Sequence, residues 1–506
     1  MVRPVELPPA VEQEVRFVED TPSDHIVDAT IERLRNGRPA REILAAACLA
    51  VSRSTELPPD HHGGPVHPVS GMHAVYQLAS RLGGDSGYLP VVQSVALANK
   101  HVNSPEMGPA LMPALDPAPL AGTDTAALLA GFVQALADRQ TPAAERHLLA
   151  LLPVAAPGQI LDAMLQVALP RNALDDHYLL YPIYAFRALD DLGWDWAPIV
   201  LRPPVRYLAR HPMMEAIGEF KPDVVAEGVA LYRDFAAIER MIDDHGLTKD
   251  RVALATQDAE SAAIGRLAER IGQVGEIRSV VRLLARALAE GLSLAGAGEA
   301  LSIGGGLLFL RCSSGNPFEV HIHTGINARR YLLGLEGVCF RTKVLGLLSW
   351  GLGMEVRYLD PTLTWTPGAP PELVAGLPTR GQDDLLQTIA ESILTQPVVD
   401  LETIEVSVDE LVAADQVRDT IALAQQYAEA GYDPEPYFEL LGRLTCRDDQ
   451  SEMHAYKLQQ VAYEEYFGVR EPYRWVHMVS AARHAACVVN LRPQTVYPAA
   501  QARLAH

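Results

Sequence analysis

Histidines are the residues of this chain whose type and placement could do chemistry. There are sixteen of them among 506 residues, and four stand close together between positions 61 and 73. A neutral imidazole is the commonest metal ligand in proteins, provided that a rigid element holds the ring and a partner satisfies its second nitrogen. The histidines therefore suggest a metal centre, although a single buried histidine is more often a core or helix-end residue with its own hydrogen bonds.

The spacing of the histidines matches no compact metal-binding motif. The chain contains no H-E-x-x-H, no E-x-x-H pair and no EF-hand loop, which argues against zincin, di-iron and calcium sites. Glu452 stands two positions before His454, but residues two apart on a helix point in different directions. The five cysteines form no C-x-x-C pair, so neither a thiolate zinc site nor a disulfide framework is expected. A metal here would have to be held by histidines from distant helices.

The elements that must position these histidines are predicted to be helices, because apolar residues recur at helical spacing along most of the chain. The segment Ile26 to Arg53 is predicted to form two helices that break at residues 36–39, Asn-Gly-Arg-Pro. Strand patterns are almost absent. We expect an all-α fold, a large multi-helical array of stacked helix pairs around a buried metal site, in a single large domain over residues 1–506. The Pro- and Gly-rich residues 358–381 are predicted to be a loop or lid within it.

The charge balance excludes some classes of partner. The formal net charge is −21 and no run of Lys and Arg occurs, which argues against binding to nucleic acid or to anionic membranes. The apolar stretches are too short or too interrupted to span a bilayer, and the first residues lack the apolar core of a signal peptide. We expect a cytoplasmic protein without membrane or nucleic-acid partners, and the oligomeric state stays open.

Other short patterns have ordinary structural interpretations. Residues 304–306, Gly-Gly-Gly, lack G-x-G-x-x-G spacing and a preceding strand, so close helix packing is expected there rather than a dinucleotide site. Asp175 and Asp176 precede His177. They are predicted to cap the helix that follows, and orientation of the imidazole is the alternative. No G-x-S-x-G elbow or Walker A sequence occurs, which disfavours a serine hydrolase or an NTPase.

Four histidine-containing segments follow one another along the chain: residues 67–78 (HPVSGMHAVYQL), 177–186 (HYLLYPIYAF), 318–327 (FEVHIHTGIN) and 454–457 (HAYK). In this order they resemble segments of the questin-oxidase-like family and of related bacterial all-helical proteins. The resemblance is spread over the part of the chain from Leu44 to Arg492.

Each segment resembles a different part of the family pattern. The first is similar to a histidine-rich helix in which a histidine, here His73, precedes an apolar stretch. The second resembles H-P-L-I-H-L-G-Y-A, with Tyr181 in place of the second histidine. The third resembles D-F-x-x-M-H-x-x-T and matches the family histidine to His321. The last is similar to G-H-x-x-K, a spacing that puts His454 and Lys457 on one face of a helix.

The resemblance implies a non-haem iron held by several histidines and by a lysine that is carboxylated on its amine. An ammonium cannot ligate a cation, whereas a carbamate supplies a carboxylate-like oxygen. The ligands implied are His73, His177, His321, His454 and Lys457. The substitutes, should one match be misplaced, are His67, His101, His211 and His323. The expected cofactor is Fe(II), with another divalent metal as the alternative.

The expected function is that of a non-haem iron-dependent oxygenase. The resemblance implies oxygen insertion into, or carbon–carbon cleavage of, a small apolar substrate such as an aromatic polyketide, with that substrate and dioxygen as partners. Tyr181 and Asn327 are expected to hydrogen-bond to substrate or dioxygen. The residues expected to line the pocket, with a core role as the alternative, are Tyr76, Tyr184 and Trp350. Two other functions stay open: a zinc-dependent hydrolase or lyase, and a non-catalytic helical scaffold with core histidines.

Overall fold

A computed structural model describes the fold. The residues described are 3–58, 63, 65–172, 176–211, 235–311, 320–352, 368–369, 371–396, 398–400 and 414–505. The structure is 72% helical with essentially no sheet, which confirms the predicted all-α fold class.

The helices follow one another in a simple order. The first part of the chain contains α1 (Pro9–Asp20), α2 (Ile26–Arg35), α3 (Ala40–Ser54), α4 (Val66–Leu82), α5 (Gly84–Val102), α6 (Thr125–Ala137), α7 (Thr141–Leu151), α8 (Pro157–Arg171), α9 (His177–Leu192), α10 (Ala197–Val200) and α11 (Arg202–Arg210). The second part contains α12 (Ser261–Gly272), α13 (Ser279–Ala289), α14 (Leu294–Phe309), α15 (Val320–Gly334), α16 (Phe340–Leu348), α17 (Pro371–Ala375), α18 (Gln382–Leu394), α19 (Ala414–Glu429), α20 (Pro434–Thr445), α21 (His454–Gly468), α22 (Trp475–Val488) and α23 (Val496–Leu504). Two short strands, β1 (Val399–Asp400) and β2 (Leu491–Arg492), pair in parallel.

The helix boundary predicted at residues 36–39 is confirmed. Helix α2 ends at Arg35 and α3 begins at Ala40. Gly37 between them has a φ of 86°, which a residue without a side chain adopts at little cost. Pro39 then precedes the first helical residue with an extended backbone, so the turn residues themselves separate the two helices.

Four helices form the frame of the candidate site. Helix α4 packs against α9, α9 against α15, α15 against α21, and α21 against α4. This closed ring of contacts leaves one interior position that all four helices face. Side chains projecting inward from the four helices can therefore meet although they are up to about 390 residues apart in sequence.

The glycines at 304–306 allow close helix packing, as predicted. A Cβ on Gly304 would lie 2.6 Å from Ile271 of α12, and one on Gly306 would lie 2.4 Å from Val476 of α22. Real Cβ atoms do not approach so closely, so α14 needs these glycines to touch both neighbours.

Residues 358–367 and 370 of the predicted loop at 358–381 lie outside the described residues, and its later part contains the short helix α17. None of the helices in the described ranges is both long and apolar enough to cross a membrane.

Candidate metal centre

Four histidines meet inside the ring of helices. They are His67 on α4, His177 on α9, His321 on α15 and His454 on α21, and all four are at least 95% buried. Their ring centroids are 5.1 Å apart for His67 and His177, 5.3 Å for His177 and His321, 5.0 Å for His321 and His454, and 4.6 Å for His454 and His67. Each histidine lies within the first two residues of the range given for its helix. We call this group the four-histidine cluster.

The nitrogen positions in the four-histidine cluster fit a metal ion. The Nε2 atoms of His67 and His177 are 3.4 Å apart, and those of His454 and His321 are 3.3 Å apart. Two nitrogens that each lie about 2.1 Å from one ion at tetrahedral or octahedral angles are separated by roughly 3.0–3.4 Å. His67, His177 and His454 form a group whose ligand atoms are close enough to hold one ion.

Hydrogen bonds to the other ring nitrogens leave lone pairs facing the cluster. Nδ1 of His454 lies 2.6 Å from the carbonyl oxygen of Ser451, which can only accept a hydrogen bond. That nitrogen must therefore carry the proton, and Nε2 of the neutral ring keeps its lone pair. Nδ1 of His67 contacts the carboxylate of Glu452 in the same manner. Such partners are typical of metal-bound histidines because they set the tautomer and the ring direction.

A tight turn before α21 provides both of these partners. The carboxylate of Asp448 accepts hydrogen bonds from the backbone nitrogens of Gln450 (2.9 Å) and Ser451 (3.1 Å). Glu452 and Met453 both have positive φ, 47° and 69°. Residues other than glycine adopt this conformation at a cost of about 1–3 kcal/mol each, and such strain concentrates at functional sites. The turn thus points Glu452 to His67 and directs His454 inward.

Gly71 lets this turn approach α4. A Cβ on Gly71 would lie 2.7 Å from the Cβ of Met453. Since Gly71 is one helical turn after His67, the close contact joins the two segments that carry His67 and His454.

Lys457 lies one turn after His454 and is 3% exposed. Its charge acts on both His67 and His454, so the amine lies beside the four-histidine cluster. Within the described part of the chain, the amine has no hydrogen bond or ion pair. Burial lowers the pKa of Lys457 to about 7, against the opposing effect of the charge on Glu452. A buried lysine without a counter-ion is costly in its charged form, which favours a neutral or modified amine.

A buried ion pair joins two helices of the ring. Asp176, directly before α9, accepts hydrogen bonds from Arg329 of α15 at 2.6 and 2.9 Å. It makes no side-chain cap bond to its own helix, so the predicted N-cap role is wrong for Asp176, because the buried guanidinium occupies its oxygens. Asp175 lies outside the described residues. The pair holds the first turn of α9, with His177, against the helix that carries His321.

His73 and Asn327 lie in a different group of polar side chains. Each follows a cluster histidine by six residues, and residues six apart on an α-helix point about 120° apart. His73 contacts Asp191 through Nδ1 (2.6 Å) and Glu464 through Nε2 (2.8 Å). Asn327 donates to Glu464 at 3.0 Å and accepts from Arg187. The structure therefore brings His177, His321 and His454 together as expected, but with His67 in the position expected for His73.

We predict a pH-dependent stabilising role for His73. Burial opposes its protonation, but the bonds to Asp191 and Glu464 outweigh burial and raise its pKa. A raised folded-state pKa stabilises the fold below the unfolded value of about 6.5 and loses this effect as the pH rises through the folded value. His73→Gln should therefore lower the free energy of unfolding by roughly 1–3 kcal/mol at pH 6 and by less at pH 9. Urea denaturation at the two pH values measures the difference, and an equal loss at both would contradict the assignment.

Glu464 sets the lower end of the pH range in which the stabilising effect of His73 can be measured. Burial alone would raise its pKa, but the hydrogen bond with His73 and the charge of Arg187 lower it. Its stabilising contribution is present above about pH 4.5 and is lost as the pH falls. The comparison of His73→Gln with the unsubstituted protein therefore belongs above pH 5.

The aromatic residues expected around a pocket have different surroundings. Tyr181 is 3% exposed and lines a cavity of about 480 Å³. Tyr184 is buried on the same helix, and Trp350 donates to the carbonyl oxygen of Ile322 at 3.4 Å. Tyr76 packs at the edge of the core.

The remaining candidate histidines lie outside the four-histidine cluster. His323 points to the opposite side of α15 from His321, because the two are two residues apart. Its ring is 6.2 Å from that of His477 and packs on Phe309. Nε2 of His101 is 3.9 Å from Glu452. The ring of His211 contacts the hydroxyl of Tyr178.

Sequence reasoning missed Glu452 and Ser451. The sequence does place a carboxylate two residues before His454, but helical geometry argues against any joint role. In the structure Glu452 lies in the turn before α21 and not on the helix, so its carboxylate contacts His67 instead of acting together with His454. No local pattern could have indicated a partner 385 residues away.

Comparisons with known proteins identified no relative of this chain. No protein-family model, curated protein or solved structure matches the chain.

Proposed function

We propose that this protein is a non-haem iron-dependent oxygenase that acts on a small, largely apolar organic molecule. The observation that carries the proposal is the four-histidine cluster, with its Nε2 atoms at metal-ligand separations. Beside it lies buried Lys457, whose amine has no partner among the described residues. The resemblance of the histidine segments to the questin-oxidase-like family supports iron and dioxygen chemistry over other uses of such a site.

The residues proposed to hold the ion are His67, His177, His321, His454 and Lys457 as its carbamate. The carbamate forms when the neutral amine attacks carbon dioxide and one N–H proton leaves to water. Three helices, α4, α9 and α21, direct the positive ends of their dipoles at this point. A negatively charged ligand such as the carbamate is therefore favoured there, and it also offsets the charge of a divalent cation.

The surrounding residues fix the protonation of the histidines and keep water from the site. Glu452 and Ser451 hold the protons of His67 and His454 on the nitrogens that face away from the ion. Burial keeps all four imidazoles from water, which strengthens electrostatic interactions inside the site. Fe(II) bound there would coordinate dioxygen or substrate and stabilise developing negative charge.

Metal analysis combined with oxygen uptake tests the proposal. Protein purified without chelator should contain one iron per chain, and anaerobic reconstitution with Fe(II) should permit oxygen consumption that depends on an added hydroxylated anthraquinone. Stoichiometric zinc without oxygen consumption would instead indicate a hydrolase or lyase, in which bound zinc activates water. Absence of any bound metal would indicate a scaffold with core histidines.

A further inference from the structure

A second feature lies directly beside the four-histidine cluster. The cavity of about 480 Å³ is lined by Val66, the residue before His67, and by Tyr181, one turn after His177. Two of the proposed ligands, His67 and His177, thus lie within one helical turn of residues that line the cavity.

The wall of this cavity is aromatic and includes the hydroxyl-bearing side chain of Tyr181. The rings of Tyr181 and Tyr207 meet edge to face with centroids 5.7 Å apart. Prolines at 65, 113 and 203 add apolar surface. Tyr181 is only 3% exposed. Its hydroxyl has no hydrogen-bond partner among the residues that the structure describes. At the wall of the cavity this hydroxyl can donate a hydrogen bond to a bound ligand.

The rim of the cavity is basic although the chain is acidic. Arg139, Arg206 and Arg210 line it together with Glu56 and Glu145, in a protein of net charge −21. Arg206 donates through Nε to Glu145 at 2.8 Å. Its Nη1 also lies 3.4 Å from a carboxylate oxygen of Glu56. Since a guanidinium has five N–H donors, these two bonds still leave donors for a ligand.

A larger cavity, lined in part by the turn that precedes α21, has the opposite charge. It has a volume of about 780 Å³ and reaches Glu452. Its lining contains five carboxylates against one lysine and one arginine. An anionic molecule would therefore be repelled from the larger cavity and attracted to the smaller one.

We propose that the cavity beside Tyr181 is the substrate pocket and that it binds a planar aromatic molecule carrying an ionised acidic group. The assignment of this cavity to the substrate, as opposed to another ligand, rests on the proposed function. Tyr181 and Tyr207 contact the ring, the Tyr181 hydroxyl donates to an oxygen of the ligand, and Arg206 pairs with its negative charge. The positive helix ends at the four-histidine cluster favour the same charge on the molecule that approaches it.

Binding of two matched probes to the full, metal-loaded chain tests the pocket. Isothermal titration should give tighter binding of 2-naphthoate than of uncharged 2-naphthamide by about tenfold or more, the effect of one charge-assisted hydrogen bond. Arg206→Gln should remove this preference, and Tyr181→Phe should weaken both probes several-fold. Arg503→Gln, which changes the larger cavity, is the matched control and should alter neither value. Circular dichroism confirms that each variant is folded.

The outcomes separate this inference from the proposed function. Equal binding of the two probes, or a preference that survives Arg206→Gln, overturns the pocket assignment even when the protein consumes oxygen. A naphthoate preference that depends on Arg206 and Tyr181 supports the pocket even when no oxygen is consumed, and in that case only the oxygenase proposal fails.

Discussion

His67→Ala is expected to remove the bound metal ion, whereas His73→Ala is expected to leave it in place. The two residues are on the same helix, but only His67 faces the other three histidines, at 3.4 Å from Nε2 of His177. Loss of one ligand from a site of four imidazoles lowers metal affinity strongly, and even loss of a hydrogen-bonded partner of a ligand costs about 10–100-fold. Metal content per chain after gel filtration, measured by mass spectrometry, should fall to below a tenth in His67→Ala.

His73→Ala is the matched control because it removes a partly buried imidazole from a neighbouring polar group. It should lose stability and retain the ion. Glu452→Gln adds a graded case, since it keeps a hydrogen-bond acceptor near Nδ1 of His67 but removes the charge, and it should weaken metal binding less than His67→Ala does. If His73→Ala and His67→Ala lose metal equally, the ligand assignment is wrong.

Lys457→Met is expected to abolish oxygen consumption and to weaken metal binding by at least tenfold. The amine is buried without a partner in the described structure, and its carbamate would supply the oxygen ligand that an ammonium cannot. In protein prepared with ¹³C-labelled bicarbonate, a carbamate carbon signal should appear in the NMR spectrum and should be missing from Lys457→Met. Lys457→Ala should regain part of its activity in acetate, because a free carboxylate can occupy the space left by the side chain.

Lys343 provides the control for this substitution. It is 7% exposed and donates to the carbonyl oxygen of Leu333 at 2.8 Å, so it is a buried lysine with a satisfied amine. Lys343→Met should keep the metal, the carbamate signal and the activity. A carbamate signal that persists in Lys457→Met, or full metal binding by that variant, would refute the role of Lys457.

Local sequence predicted the helices well because helix formation depends on neighbours within a few residues. The break between α2 and α3 follows from Gly37 and Pro39, whose backbone preferences act without tertiary contacts. The close packing of α14 at residues 304–306 follows from the absence of side chains. The N-cap role predicted for Asp176 is wrong because a buried arginine 153 residues away takes its oxygens, and a local rule contains no information about such a partner.

Sequence alone predicted a helical protein without a compact metal-binding motif, and the resemblance of its histidine segments added His73, His177, His321, His454 and Lys457 as the ligands to examine. Tertiary structure decided between His67 and His73, because both lie on α4 and only the packing of three other helices defines which face is interior. It also decided the partners that orient the rings, Glu452 and Ser451, since these depend on a strained turn that brings distant segments together. The metal-centre hypothesis began with sixteen histidines and now concerns four, whose separation is set by helix packing and not by spacing along the chain.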